Sequence, residues 1–304
     1  MNLRRTRREL ILGTLSILLL IFVYRVFTVY TVRSGECRPK PVDPDLRRLK
    51  RDDRGTIVSY PERTGFPPQT RPLVVMTYNI SGHSALLHGD HIRGIAEMIN
   101  RIHPDICGLQ EVHRKTWQSR YHDQLAELEQ LTGMRGYFCK AYQQGSGEFG
   151  NAILTRGEML SSVNHPLPSV GEPRTLLESV VRIDGATINV YVTHLTTWGS
   201  LNRSSRREQL RCLARHVPTS RWPYLLLGDF NTTPDAPEIV EFMAGHPGEM
   251  AGENIAVTHP LTKRRIDYVL ADYGWEVVSA RAEEGGPSDH WPLVTNLRWT
   301  RGLP

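Results

Sequence analysis

Apolar residues fall into short runs at two-residue or helical spacing, separated by polar punctuation. Leu73–Tyr78 reads as a strand, and Ile95, Met98, Ile99 and Ile102 set a helical stripe over Arg93–Ile102. Asp105–Leu109 reads as a buried strand and Trp117–Leu131 as a second helix. Strands are predicted at Gly136–Lys140, Ala152–Thr155, Leu176–Ile183 and Thr187–Val192, the last two forming a hairpin through Asp184-Gly185. Ser204–His216 is a helix, Tyr224–Leu227 a strand, and Ala236–Phe242 a short helix behind Pro234. The final strands are Arg265–Leu270, Trp275–Arg281 and Trp291–Leu297. Strands at hairpin spacing with few helices between them predict two packed sheets flanked by helices, not a doubly wound parallel sheet.

The first seventy residues follow a different pattern. Arg4, Arg5, Arg7 and Arg8 form a basic tail over residues 1–9, ahead of an apolar run over residues 10–32 interrupted by Arg25. As one helix that run rises about 35 Å, enough to cross a bilayer, with Arg25 placed to snorkel. A cleaved signal peptide is the competing reading, but the residues after the apolar run offer no small-x-small site. Residues 33–70, rich in proline and charge, read as a tether, and 71–304 as the folded domain. The short basic tail favours a single-pass anchor with the domain on the extracytoplasmic side, although the equally basic downstream flank leaves the charge count itself undecided.

Charge changes the picture once it is divided by position. Residues 1–69 hold 14 basic and 7 acidic side chains, a net of +7, and the remaining 23 basic and 25 acidic side chains leave −2. The basic excess belongs to the N-terminal segment, which weakens the case for a surface that tracks a polyanion. Cys37, Cys107, Cys139 and Cys212 have no metal-ligand spacing and make no dense disulfide framework.

The candidate chemistry lies at the strand ends. Asn79 follows the first strand and Glu111 the second; Asn151 opens another, and His194 closes the Thr187 strand. Asp229 and Asn231 follow Leu225–Gly228, Asp267 precedes Tyr268–Leu270, and Asp289-His290 precede Trp291. Singly, each is an ordinary cap or turn residue. Together they outline a polar mouth along one edge of a sandwich.

Thr77-Tyr78-Asn79, Leu109-Gln110-Glu111, Gly150-Asn151-Ala152, Thr193-His194-Leu195, Gly228-Asp229-Phe230-Asn231, Ile266-Asp267-Tyr268-Val269 and Ser288-Asp289-His290-Trp291-Pro292-Leu293 resemble, in order, the motif set of the exonuclease–endonuclease–phosphatase superfamily. The resemblance implies a four-layer α/β/β/α sandwich and a metal-dependent phosphoester hydrolase. It makes Asp229 the group that orients or deprotonates water, with Asn231 on phosphate or the metal shell. His290, oriented by Asp267, becomes a donor or general acid–base, and His194 a second histidine on phosphate. Asn151 and Arg174 are expected to bind substrate. A hard cation such as Mg²⁺, or Mn²⁺ in its place, wants oxygen ligands, and Glu111 is the first candidate, with Asn79 and Asp289 close by. Arg206 and Gln209 resemble a family R-x-x-Q element that is equally readable as structural.

Two further patterns carry less. Gly145-Ser146-Gly147-Glu148-Phe149-Gly150 fits a dinucleotide fingerprint but is followed by a strand, where that motif needs a helix. His83, His88 and His91 read as a polar loop rimming the site, not as a zinc centre. The expected partners are a phosphoester substrate and, through the N-terminal helix, a membrane; no obligate protein partner is evident. Lipid headgroup and nucleic acid both remain open as substrates, and a catalytically inactive binding module is the reading from another class.

Overall fold

The computed structural model describes residues 71–197, 202–217, 222–246 and 248–300, together with the backbone of short strand segments at 33–34, 50–51 and 57–59. Twelve principal strands make two six-stranded sheets. The first comprises β1 (Leu73–Asn79), β2 (Ile106–Arg114), β3 (Arg135–Gln144), β4 (Gly147–Thr155), β11 (Trp275–Ala282) and β12 (Leu293–Trp299), in the order β11-β12-β1-β2-β4-β3. The second comprises β5 (Glu158–Leu167), β6 (Arg174–Ile183), β7 (Ala186–His194), β8 (Tyr224–Asp229), β9 (Glu249–Met250) and β10 (Asp267–Ala271), in the order β9-β10-β8-β7-β6-β5.

Each sheet has one parallel pair, β1 with β2 and β7 with β8, and both pairs sit at the middle of the sheet. Parallel neighbours need a crossover. Helix α1 (His91–Ile102) supplies it in the first sheet and α3 (Arg203–His216) in the second. Helices α2 (Gln124–Thr132) and α4 (Pro237–Gly245) complete the outer layers.

Three apolar clusters account for the layering. Val75, Ile106 and Ile153 of the first sheet meet Val190, Val192, Leu225, Leu227 and Val269 of the second in a fully buried central core. Met76, Tyr78 and Leu109 point the other way, under Ile95 and Ile99 of α1 and Leu125 and Leu128 of α2. Tyr191, Leu226 and Tyr268 lie beneath Leu210 and Leu213 of α3 and Ile239 and Phe242 of α4. The period-2 alternation of a strand buried on both faces, as in Leu225-Leu226-Leu227, thus divides its side chains between two cores. Gly108 lies against the facing sheet: a Cβ there would stand 3.1 Å from Leu227 and Val192. Two mixed sheets flanked by helices match the expected sandwich.

Two expectations need correction. The second helix begins at Gln124, not Trp117. Lys115, Arg120 and Tyr121 have positive φ, Thr116 and Ser119 bond each other, and Asp123 caps the helix by accepting from the Ala126 amide. Strand β5 goes unanticipated, because it is a polar edge strand exposed along most of its length. Among the described residues no helix is long and apolar enough to cross a membrane. The expected span at 10–32 lies outside those residues, as do the side chains of the tether. Cys107 and Cys139 are free and buried. Cys212, on α3, is disulfide-bonded.

Candidate active site

The carboxyl ends of both parallel pairs reach the same edge of the sandwich. This brings Asn79 at the end of β1 and Glu111 in β2 opposite His194 at the end of β7 and Asp229 at the end of β8. Such crevices beyond the carboxyl ends of parallel strands are where open sheets bind ligands. Glu111, His194, Asp229, Asn231, Asp289 and His290 line one cavity of about 200 Å³.

Local backbone geometry aims these groups. Strand β2 slips register against β4 between Leu109 and Val112, and Glu111 sits in the left-handed region at φ 59°. A bulge that turns a carboxylate out of its ladder costs strain that the surrounding structure must hold. Asn231 (φ 52°) and Ser81 (φ 48°) are held the same way. Gly82 packs so tightly under Glu111 that a Cβ there would lie 2.3 Å from the Glu111 carbonyl oxygen.

Asn79 joins the two sheets. Its Nδ2 donates to Glu111 Oε1 (3.2 Å) and to Asp229 Oδ2 (3.1 Å), while its Oδ1 accepts from the Ser81 amide (3.0 Å). Asp229 Oδ1 accepts from the Asn231 amide (2.8 Å), and Asn231 Nδ2 donates to the Leu195 carbonyl (3.1 Å). Asp229 Oδ2 therefore faces His194 Nε2 at 3.5 Å and His290 Nε2 at 3.7 Å. His290 is fixed from behind: its Nδ1 donates to Asp267 Oδ2 at 2.9 Å, and its backbone amide donates to Ser288 Oγ. Ser288 Oγ in turn donates to the Asn79 carbonyl at 2.7 Å.

The charge states differ from one group to the next. Burial and the charge of Asp267 push the Asp229 carboxyl up to about 7, against the opposing pull of His290. For His290, burial favours the neutral ring but is outweighed by Asp267, with Asp229 and Asp289 adding to it, and the imidazole rises to about 10. His194 moves the opposite way, well below its ordinary value, through burial and the nearby Arg174 charge. At neutral pH one imidazole is thus a cation and the other is neutral. Burial also opposes charge on Glu111, yet its hydrogen bonds with His83 and Asn79 hold it well below the usual carboxylate range. Groups of matched chemistry driven to different protonation states are what acid–base catalysis requires.

Arg174, at the start of β6, is buried. Its Nη2 pairs with Glu172 at 3.0 Å, while Nε and Nη1 have no partner among the described residues. Buried unpaired guanidinium donors cost stability and point to an anion that completes them. Asn151 lies within β4 and donates to the Thr175 carbonyl at 3.3 Å, and it is not in the cavity lining. Arg206 and Gln209 turn out to be braces: Arg206 bonds Glu238 and the Thr197 carbonyl, and Gln209 accepts from the Thr196 amide. Both fasten α3 to the loop after His194. Of the three loop histidines, His83 approaches Glu111 at 3.4 Å, His88 is exposed, and His91 is buried with its Nε2 bonded to the Ile80 carbonyl, away from the rim. Gly145-Ser146 is the turn of the β3–β4 hairpin.

The donor set suits a hard cation. Glu111 and Asp289 offer carboxylate oxygens into one cavity, with Asn79 beside them. Asp229, Asp267 and His290 also converge, their ligand atoms within 4.8 Å of one another. In that trio, however, the His290 Nδ1 and an Asp267 oxygen are spent on each other. Sequence reasoning missed His259, Thr262 and Arg264, which line the cavity from a turn that no strand-end pattern marks.

A two-sheet sandwich with carboxylates, amides and histidines gathered at its paired strand ends defines the scaffold of hydrolytic phosphoesterases. The chain belongs to the Endonuclease/Exonuclease/phosphatase family, whose model matches residues 76–290. Among solved structures it is similar to an endonuclease/exonuclease/phosphatase from Beutenbergia cavernae, at 27% identity and TM-score 0.64 over 76% of this chain and 72% of that one. The human Nocturnin catalytic domain, solved with a bound sulfate anion, is similar at 21% identity and TM-score 0.63, over 76% and 95%. A mannosyl-6-phosphatase from Bacteroides thetaiotaomicron is similar at 19% and 0.58, over 75% and 100%. No curated protein matches the chain.

Proposed function

We propose that the chain is a Mg²⁺-dependent phosphoester hydrolase, of phosphodiesterase or phosphatase type, held at a membrane by residues 10–32 with its catalytic domain on the extracytoplasmic side. The observation that carries the hydrolytic reading is Asp229: a buried carboxyl whose Oδ2 lies 3.5 Å from His194 Nε2 and 3.7 Å from His290 Nε2, with burial and Asp267 pushing it up to about 7. Above that pH it accepts a proton from water, while Asn79 and the Asn231 amide hold its orientation. His290, kept cationic by Asp267, supplies a proton to the leaving oxygen. Neutral His194, Asn231 and the unpaired donors of Arg174 receive the phosphate oxygens, and Asn151 supports that side of the pocket. Glu111 and Asp289, with Asn79 beside them, would hold Mg²⁺ or Mn²⁺, which supplies charge neutralisation at phosphorus when bound.

Compartment and anchoring draw support from two features. The apolar run at 10–32 is of spanning length, and the Cys212 disulfide belongs to an oxidising environment. The slight negative charge of the body favours a small phosphoester or lipid headgroup over a nucleic acid; a membrane-tethered nuclease is the alternative.

The test is hydrolysis by the purified full chain of an aryl phosphomonoester, a bis-aryl phosphodiester, sphingomyelin, inositol phosphates and plasmid DNA. The expected result is turnover of a non-nucleic substrate, abolished by EDTA, restored by Mg²⁺ and lost in His290→Ala. Turnover that survives EDTA would refute the metal assignment, and cleavage of DNA alone would select the nuclease.

A further inference from the structure

One turn faces the same cavity with chemistry that the proposed mechanism leaves unused. Residues 258–264 lead into the segment that carries Asp267, and the turn is tied down on both sides. Thr258 Oγ1 accepts from the amides of Ile266 (3.0 Å) and Asp267 (3.1 Å), and its carbonyl accepts from the Trp291 amide (2.7 Å). His259 and Arg264 bridge across the turn, the His259 amide donating to the Arg264 carbonyl at 2.9 Å. The residues on either side of the His290–Asp267 pair therefore also hold this turn.

Within the turn the His259 ring is locked. The Thr262 amide donates to its Nδ1 (3.2 Å), and Thr262 Oγ1 lies 2.8 Å from the same atom. A backbone N–H has no acceptor role, so Nδ1 is the acceptor and the ring proton sits on Nε2. That atom looks toward the cavity, 3.8 Å from Asp289 Oδ2, and the ring meets His290 edge-on with centroids 4.6 Å apart. His259, Thr262 and Arg264 all line the cavity.

We infer that His259 is a substrate-binding residue: a neutral imidazole of fixed tautomer whose Nε2–H donates to a phosphate oxygen on the His290 side of the cavity. The inference rests on the phosphoester reading above. Because the turn is mounted on the segment bearing Asp267 and on the residue after His290, the donor is held ready before substrate arrives.

The experiment measures binding of inorganic phosphate to the full chain in Mg²⁺ by calorimetry, with the ring tautomer read by ¹⁵N NMR of labelled histidine. His259→Ala is expected to weaken phosphate binding about 10- to 100-fold, the loss that follows removal of a hydrogen bond to a charged oxygen. His259→Gln, which restores an N–H at similar reach, is expected to recover most of that loss, and the wild-type ring is expected to show its proton on Nε2. Unchanged phosphate affinity in His259→Ala, or a proton on Nδ1, overturns the assignment of His259 alone. A wild-type chain that binds no phosphate overturns the phosphoester reading along with it.

Discussion

At the scale of single residues, the site is a set of groups driven to different protonation states by burial and by one another. Activity is expected to rise with pH through about 7 as Asp229 loses its proton, and to fall through about 10 as His290 loses its own. A kcat/KM profile on an uncharged-leaving-group diester checks both limbs. Asp229→Asn separates catalysis from folding: it should cost at least about 10³-fold in kcat while leaving the melting temperature equal or higher. The sign follows from linkage. A carboxyl whose folded-state pKa lies above its unfolded value opposes folding increasingly as pH rises from about 4 to about 7, and the amide removes that opposition. Strand-end position and motif order pointed to Glu111, His194, Asp229, Asn231, Asp289 and His290, which line one cavity, and to Asn79 and Asp267, which bond to them, because rigid strands repeat the placement of a polar residue after an apolar run; Asn151 and Arg174 are not in that lining. His259 escaped, since a histidine in a proline-containing turn carries no periodic signal, and its role depends on a Thr262 contact that only folding creates.

At the scale of elements, the bulge in β2 matters most. The sequence shows a buried run ending in Gln110-Glu111, but not that the strand continues to Arg114 with Glu111 thrown into the left-handed region. Gln110 stays in the sheet, bonded to Thr77, while Glu111 leaves it. Gly82→Ala is expected to push on this bulge, since the new Cβ meets the Glu111 carbonyl and Gln124 Oε1 at 2.3 and 2.4 Å. A loss of about 1–3 kcal/mol in denaturant unfolding, with a larger proportional loss of activity, is the expected outcome. Asp123→Ala removes the cap of α2 and its pairing with Arg114, and should cost about 1 kcal/mol in denaturant unfolding. The sequence extended α2 to Trp117 because helical spacing continues there; the positive φ values that stop it belong to residues of ordinary propensity. Strand β5 was missed for a related reason: its partner β6 recruits it through backbone pairing, and its polar side chains give no alternation to read.

At the scale of the molecule, the disulfide at Cys212 constrains the unfolded chain. Cys212→Ser, or reduction of the wild type, should lower stability by about 2–4 kcal/mol, seen as equal shifts in the denaturation midpoint. A midpoint indifferent to reductant would show that no such bond forms. The two-sheet architecture was legible from hairpin spacing; the strand order was not, because nothing local marks β12 as the neighbour of β1. That pairing governs how the protein comes into being on the ribosome. The second sheet is drawn from one continuous stretch of chain, Glu158 to Ala271, whereas the first opens with β1 and waits for β11 and β12 to be synthesised. Until then β1 has a bare edge, and Asp289 and His290 have not yet left the ribosome. The growing polypeptide thus acquires its last structural seam and its His290–Asp267 pair in the same final step, so a chain cut short before Asp289 lacks both and, with β1 unpaired, is prone to stick to its own kind.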